Sequence, residues 1–327
     1  MKRILCLMLC GMVLLGLAAC GEAEAPAESS ASAERSEAVV ESGAESSEAS
    51  AESEASAESS EAAVESGAES SEASAESEAS AESSEEPVAE EPINILFLGN
   101  SFTYYNDLPA VFDSICKSAG KNVNVDSVTV GSARLDWFVT SSEAVCKTLN
   151  DKLSKQTFDY VFLQEHSTRP YKEYARFSRG AVAVLEKIRK SSPDCKPILY
   201  ETWGFHDENS SLTEQGMTSK EQELLLIDAY EKLGGEMGAE ISYAGVSFYR
   251  VYRETSADPY GNDLKHPSYA GTYTAALTHF YMLFPDAKQD DVQFDGEVDA
   301  ETAKAIRAIC YEVAHAEDKK AELEAKA

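Results

Sequence analysis

Among the 327 residues there are only five histidines, two tryptophans and seven cysteines, and the 28 basic residues are far outnumbered by 58 acidic ones. Each scarcity excludes something. No two His or Cys residues stand at the spacing of zinc ligands, and Asp258-Pro-Tyr-Gly-Asn262-Asp263 lacks the acidic repeat of a calcium loop, so no metal is expected. With no basic stripe for phosphates, nucleic acid is excluded as a partner. Two of the cysteines, Cys6 and Cys10, lie in the N-terminal leader, and Cys20 stands at its end. The other four, Cys116, Cys146, Cys195 and Cys310, permit three disulfide pairings or none. Beyond the leader there is no apolar run of spanning length, and no obligate protein partner or cofactor is indicated.

Residues 1–20 begin with Lys2 and Arg3, continue apolar from Ile4 to Leu17, and end Leu17-Ala18-Ala19-Cys20. A basic start, a short apolar region and small residues before a cleavage point describe a signal peptide rather than a membrane span. The ending resembles a bacterial lipobox, which makes Cys20 the expected lipidation site. Two acyl chains there would anchor the chain stably, at about 0.8 kcal/mol per buried CH₂. The expectation is an extracytoplasmic protein, lipid-anchored to the bacterial cell membrane.

Residues 21–92 are almost entirely Glu, Ala and Ser. They hold 22 Glu and one Arg, which is −21 of the chain's formal −30. Glu37–Ser60 and Glu61–Ser84 are a 24-residue repeat that differs only where Val39-Val40 becomes Ala63-Val64. Two copies without an apolar face cannot stack into a solenoid. The composition is that of a disordered, self-repelling spacer, about 45 Å in root-mean-square span if flexible. Most of the acidity is therefore tether, and residues 93–327 carry −11.

Those last residues form the expected folded domain. Ile93-Asn94-Ile95-Leu96-Phe97-Leu98 is a strand-length apolar run that stops at Gly99-Asn100-Ser101. Such a run reads as a strand buried on both faces, as in a parallel sheet, and ligands sit at the carboxyl ends of such strands. Alternating patterns predict strands at Val123–Val130, Phe158–Leu163, Pro197–Thr202 and Ala239–Tyr243. Helices are expected at Leu108–Ala119, Glu143–Leu153, Lys172–Lys190, Ser219–Leu233, Ser268–Phe284 and Ala300–Ala316. Five strands with intervening helices describe a three-layer α/β/α sandwich on a mainly parallel sheet.

Polar residues gather at the strand ends: Gly131-Ser132 after the second, Gln164-Glu165-His166-Ser167 after the third, Trp203-Gly204 after the fourth. Taken alone, Ser101 reads as a helix cap. Late in the chain stands Asp263-Leu264-Lys265-His266-Pro267-Ser268. An Asp three residues before a His in a loop can orient one imidazole nitrogen and leave the other as a base, which a serine nucleophile requires. Pro267 keeps His266 out of helix, and Ser268 can cap the helix that follows.

Gly99-Asn100-Ser101-Phe102-Thr103 together with Asp263-x-x-His266-Pro267-Ser268-x-x-Gly271-x-Tyr273 resembles the SGNH (GDSL-like) hydrolase superfamily over about residues 93–285, and a largely uncharacterised bacterial branch of it in particular. The resemblance implies a flavodoxin-like sandwich, Ser101 as nucleophile, His266 as general base and Asp263 as its orienting acid. It further implies an oxyanion hole from the Ser101 and Gly131 backbone N–H groups and a side-chain amide after the third strand. There the sequence departs from the family's Gly-x-Asn-Asp. Gln164 is the expected amide, with His166 as the other candidate and Glu165 as a partner for Arg134 or Arg169.

The expected activity is a cell-surface serine esterase removing short acyl groups, acetyl foremost, from small-molecule or polysaccharide esters. The alternatives are a non-catalytic glycan-binding lipoprotein on the same fold and an O-acyltransferase. Aromatics near the rim (Tyr104, Tyr105, Trp137, Phe138, Trp203, Phe205) are expected partly to face a sugar and mostly to form core or wall. His206, His279 and His315 are expected to be structural.

Overall fold

A computed structural model describes residues 91–324. The leader, Cys20 and the repeat segment of residues 21–90 lie outside the described residues, and with them the expected lipidation and disorder.

The chain runs β1 (Ile93–Gly99), α1 (Ser101–Tyr104), α2 (Leu108–Ser118), β2 (Val123–Thr129), α3 (Ala144–Leu153), β3 (Tyr160–Leu163), α4 (Arg169–Lys172), α5 (Tyr174–Ile188), β4 (Lys196–Glu201), α6 (Ser210–Thr213), α7 (Ser219–Met237), β5 (Glu240–Tyr243), α8 (Ala244–Glu254), α9 (Tyr269–Leu283), α10 (Ala300–His315) and α11 (Lys319–Glu324). Short 3-10 turns lie between several of these. The five strands make one sheet in the order β2-β1-β3-β4-β5, and every pairing is parallel. β1 lies inside the sheet, and the chain leaves it for β2 on one side and later β3 on the other. This is a topological switch point, the place in an open α/β sheet where a ligand crevice forms.

Alternation along β1 builds the layers, because successive strand side chains point to opposite faces. Ile95 and Phe97 face a core shared with α2, α8, α9 and α10, whereas Leu96 and Leu98 face one shared with α3, α5 and α7. All four are fully buried. The helix starts follow the local chemistry. Asp107 caps α2, with Pro109 in its first turn. Thr218 and Glu221 form a reciprocal capping box on α7, which ends at Gly238 in the left-handed conformation. Ser268 caps α9, accepting from the Gly271 N–H at 3.2 Å. Among the described residues no helix is long and apolar enough to cross a membrane.

Two features were not foreseen. Helix α8 starts directly at the end of β5, with no linker and no capping side chain at Tyr243. Its buried Arg250 pairs with Glu254, Glu312 and Glu322 at 2.7–2.8 Å, so a core position carries a polar letter. The four domain cysteines are all buried and unpaired.

Candidate active site

The register sets three chain segments level with one another. Gly99 is paired across from Thr129, and Leu98 from Leu163, so the chain after β1, β2 and β3 emerges on one rim. After β1, Asn100 turns the chain. Its side chain accepts from the Phe102 N–H at 3.1 Å and donates to the Ala133 carbonyl at 3.0 Å, tying the turn to the segment after β2. Ser101 is thereby the first residue of α1, where a backbone N–H has no intrahelical acceptor.

The loop before α9 is drawn up from the opposite side. Gly261 N–H donates to the His266 carbonyl at 2.7 Å, and a bridge pairs Tyr260 with Pro267. Leu264 takes a left-handed backbone (φ 60°), which reverses the chain between Asp263 and His266. One Asp263 oxygen accepts from the Lys265 and His266 backbone N–H groups at 3.2 and 2.9 Å, and the other lies 2.5 Å from His266 Nδ1. Partial burial works against ionisation of Asp263. The ring and backbone N–H groups of His266, its charge and the Lys265 N–H together outweigh that and hold the carboxyl below its usual range. A carboxylate at Nδ1 fixes the tautomer, so Nε2 is free to accept. His266 Nε2 lies 2.8 Å from Ser101 Oγ. The structure thus joins Ser101 to His266 and Asp263, more than 160 residues later in sequence, in one hydrogen-bonded chain.

Gly131 emerges on the same rim. An added Cβ there would lie 3.4 Å from the Tyr104 hydroxyl, so the Gly131 backbone and the turn carrying Ser101 face one another. Neither the Ser101 N–H nor the Gly131 N–H has an acceptor among the described residues.

Gln164 is a correction to the expected oxyanion hole. Its side chain is fully buried, and what it turns toward the nucleophile turn is its carbonyl oxygen. Oε1 accepts from the Asn100 N–H at 2.7 Å and from Thr103 Oγ1 at 3.1 Å, while Nε2 is taken up by the adjacent Glu165 carbonyl. A Cβ on Gly99 would collide with Gln164 Oε1 and Thr103 Oγ1, which is why the strand must end in glycine. The amide is a buttress under the turn, because the buried Asn100 N–H needs an acceptor more than the open rim needs a donor.

His166 is half-buried on the rim, with Nδ1 3.4 Å from Ser167 Oγ. Burial, together with the charges of Lys265, Arg134 and Arg169, lowers its pKa, so the ring is neutral near pH 7. Glu165 pairs with Arg169 (3.6 Å), not Arg134, and accepts from the His166 N–H at 2.7 Å. Burial pushes its carboxyl up to about 7.

The aromatics divide as follows. Trp203 and Phe205 are core, Trp203 stacking between Phe102 (4.5 Å) and Phe248 (4.2 Å), and Phe138 is buried in the other core, with Leu96 and Leu98. Tyr104 and Tyr105 are exposed beside Ser101, and Trp137 lies half-buried beneath Arg134. His279 is fully buried on Ser242 Oγ (2.7 Å), with its pKa pushed down to about 3 by burial. His206 accepts from the Glu208 backbone N–H, and the His315 ring bonds to the Tyr311 and Pro285 carbonyls. Among the described residues no cluster of three His, Cys, Asp or Glu side chains is arranged to hold a metal.

The fold thus carries a hydrogen-bonded Ser-His-Asp chain at the carboxyl ends of its strands. The solved structures to which the chain is similar include the following. A DUF4886 family protein from Bacteroides uniformis is 17% identical, with a TM-score of 0.57, over 68% of this chain and 95% of that one. A candidate SGNH hydrolase from Slackia heliotrinireducens is 26% identical, with a TM-score of 0.49, over 58% of this chain and 97% of that one. A candidate GDSL-like lipase from Parabacteroides merdae is 12% identical, with a TM-score of 0.42, over 57% and 94% of the two chains. These likenesses are of fold. No family model matches the sequence, and no curated protein matches it.

Proposed function

We propose that the chain is a serine esterase that removes short acyl groups, acetyl foremost, from carbohydrate or related esters. The observation that carries this reading is the 2.8 Å contact between Ser101 Oγ and His266 Nε2, with Asp263 2.5 Å from the other ring nitrogen. A serine hydroxyl is a weak nucleophile until a base takes its proton in the transition state. His266 takes that proton as Ser101 Oγ attacks the ester carbonyl, and Asp263 stabilises the imidazolium that results. The Ser101 and Gly131 N–H groups receive the oxyanion. Donors of this kind are each worth roughly 3–4 kcal/mol where one has been removed elsewhere. With Gln164 turned inward, the side chain of that block left to donate is the neutral His166. His266 then protonates the departing alcohol, and water activated by the same ring releases the acyl group.

In the same reading Cys20 is lipidated, and residues 21–92 hold the domain off the bacterial membrane on its outer side. The deciding experiment incubates the protein with p-nitrophenyl acetate and with acetylated xylan, beside Ser101→Ala and His266→Ala. Release of acetate by the wild type, abolished in both variants, is expected. Intact glycan binding with no turnover of any acyl ester would overturn the reading. Transfer of the acetyl to an added sugar in preference to water would make the protein an acyltransferase.

A further inference from the structure

Besides its hydrogen bonds at Nδ1 and Nε2, the His266 imidazole is held by aromatic packing. Tyr105 lies flat against it, with centroids 4.3 Å apart and planes 8° from parallel, and Phe102 meets it edge-on at 5.7 Å and 87°.

Tyr105 is held there by an unusual stretch of backbone. Asn106 and Asp107, neither a glycine, are both left-handed, with φ of 50° and 52°. Two such residues in succession are strained, and strain of this kind persists only where surrounding contacts hold it. The contacts are present. Asn106 Nδ2 donates to the carbonyl of Pro267, the residue after His266, at 3.2 Å, and to Thr272 Oγ1 at 2.9 Å. Thr272 Oγ1 in turn lies 3.4 Å from the Tyr105 carbonyl, to which it donates. The turn that follows the nucleophile is thus clasped onto the loop that carries the base.

We infer that Tyr105 and Asn106 are positioning residues for His266: Asn106 locks the two loops together, and Tyr105 sets the imidazole plane that aims Nε2 at Ser101. The inference rests on the hydrolase reading, in which His266 acts on Ser101. The same aromatic face lies over the charge that forms on the ring when it takes the serine's proton, an arrangement favourable to a cation. The strain is retained because a relaxed turn would carry Tyr105 off the ring.

The test reads the nucleophile without any assumed substrate. The rate at which an alkyl fluorophosphonate adds to Ser101 is followed by intact mass in the wild type, Tyr105→Phe, Tyr105→Leu and Asn106→Gly. Glycine accepts the left-handed backbone, so Asn106→Gly removes the clasp without new strain. Tyr105→Phe is expected within about threefold of wild type. Tyr105→Leu and Asn106→Gly are each expected to label about tenfold more slowly, a loss in the range that small misplacements of reacting groups produce. The double variant is expected to be no slower than the slower single, since both remove one device. Wild-type labelling rates in Tyr105→Leu and Asn106→Gly would overturn this inference alone. A wild type that does not label at Ser101 would overturn the hydrolase reading, and the positioning role with it.

Discussion

Gln164→Ala separates a buttress from an oxyanion donor. In the wild type, Gln164 Oε1 accepts from the Asn100 N–H and from Thr103 Oγ1, all three residues being buried. Truncation leaves that N–H and that hydroxyl without an acceptor inside the protein. A buried donor deprived of its partner costs about 1–3 kcal/mol, so the pair alone amounts to about 2–6 kcal/mol, before any cavity left by the amide. For a domain of this size each kcal/mol lowers Tm by about 2–4 °C, which places the expected drop at about 4 °C or more. Equilibrium urea unfolding and thermal melts measure it directly. Activity should fall as well, because the Asn100-Ser101 turn loses its floor, and Gln164→Glu, which keeps an acceptor toward Asn100, should recover part of the stability at low pH. The reasoning is refuted if Gln164→Ala melts like the wild type while kcat falls about 10²-fold or more, the pattern of a lost oxyanion donor.

Three further outcomes are expected. Asp263→Asn should fold normally but lose most of its activity, because an amide can no longer hold the tautomer that leaves Nε2 free; an unchanged kcat would remove Asp263 from the site. The stability contributed by one buried carboxyl pair should decline as pH rises from about 5 to 8. Glu223 and Glu201 are fully buried and turn their free oxygens toward the bare Cα of Gly245, while their other oxygens accept from the Gly204 and Gly245 N–H groups at 2.7 and 2.8 Å. Burial pushes Glu223 up to about 7, and burial together with the neighbouring Glu223 pushes Glu201 well above its usual range, so a proton on Glu201 is shared with its partner. A carboxyl whose pKa is raised by folding contributes stability that is complete below the unfolded value, about 4.3, and is lost as pH rises through the folded one. The melting temperature of the wild type relative to Glu223→Gln, which supplies a permanent N–H, should therefore fall by several degrees across that range; a difference that does not change with pH would exclude the pair as a source. Cys20→Ser should release the protein from membranes, and continued sedimentation with them would rule out the lipid anchor.

The sequence made some of this legible for definable reasons. β1 was visible because both its faces are buried, which forces an unbroken apolar run, and because Gly99 has no room for a side chain. The α2, α7 and α9 starts were visible because their caps, Asp107, Thr218 and Ser268, are local. Asp263 and His266, a weak signal by their three-residue spacing alone, became visible when read together with Gly99-Asn100-Ser101 at the end of β1. Gln164 was placed on the right rim with the wrong end outward. Which end of an amide faces a loop depends on the donor across from it, and the Asn100 N–H is 64 residues away. Tyr105 could not be assigned to His266 from spacing, since the contact joins loops 161 residues apart. The Asn106-Asp107 pair was its one local trace, as these two residue types tolerate the left-handed region best after glycine. Helix α8 was hidden because Arg250, a polar residue, occupies a buried position and is satisfied only by Glu254, Glu312 and Glu322.

The central claim is that Ser101 is the nucleophile activated by His266. Its most direct measurement is the mass and site of the adduct left by a fluorophosphonate, or trapped from an acetyl ester by rapid acid quench, mapped by peptide mass spectrometry in the wild type and in His266→Ala. The account predicts one modification per chain, on the peptide carrying Ser101, formed at least 10²-fold more slowly in His266→Ala. A modification on any other residue, or one on Ser101 that forms as fast without His266, would contradict it.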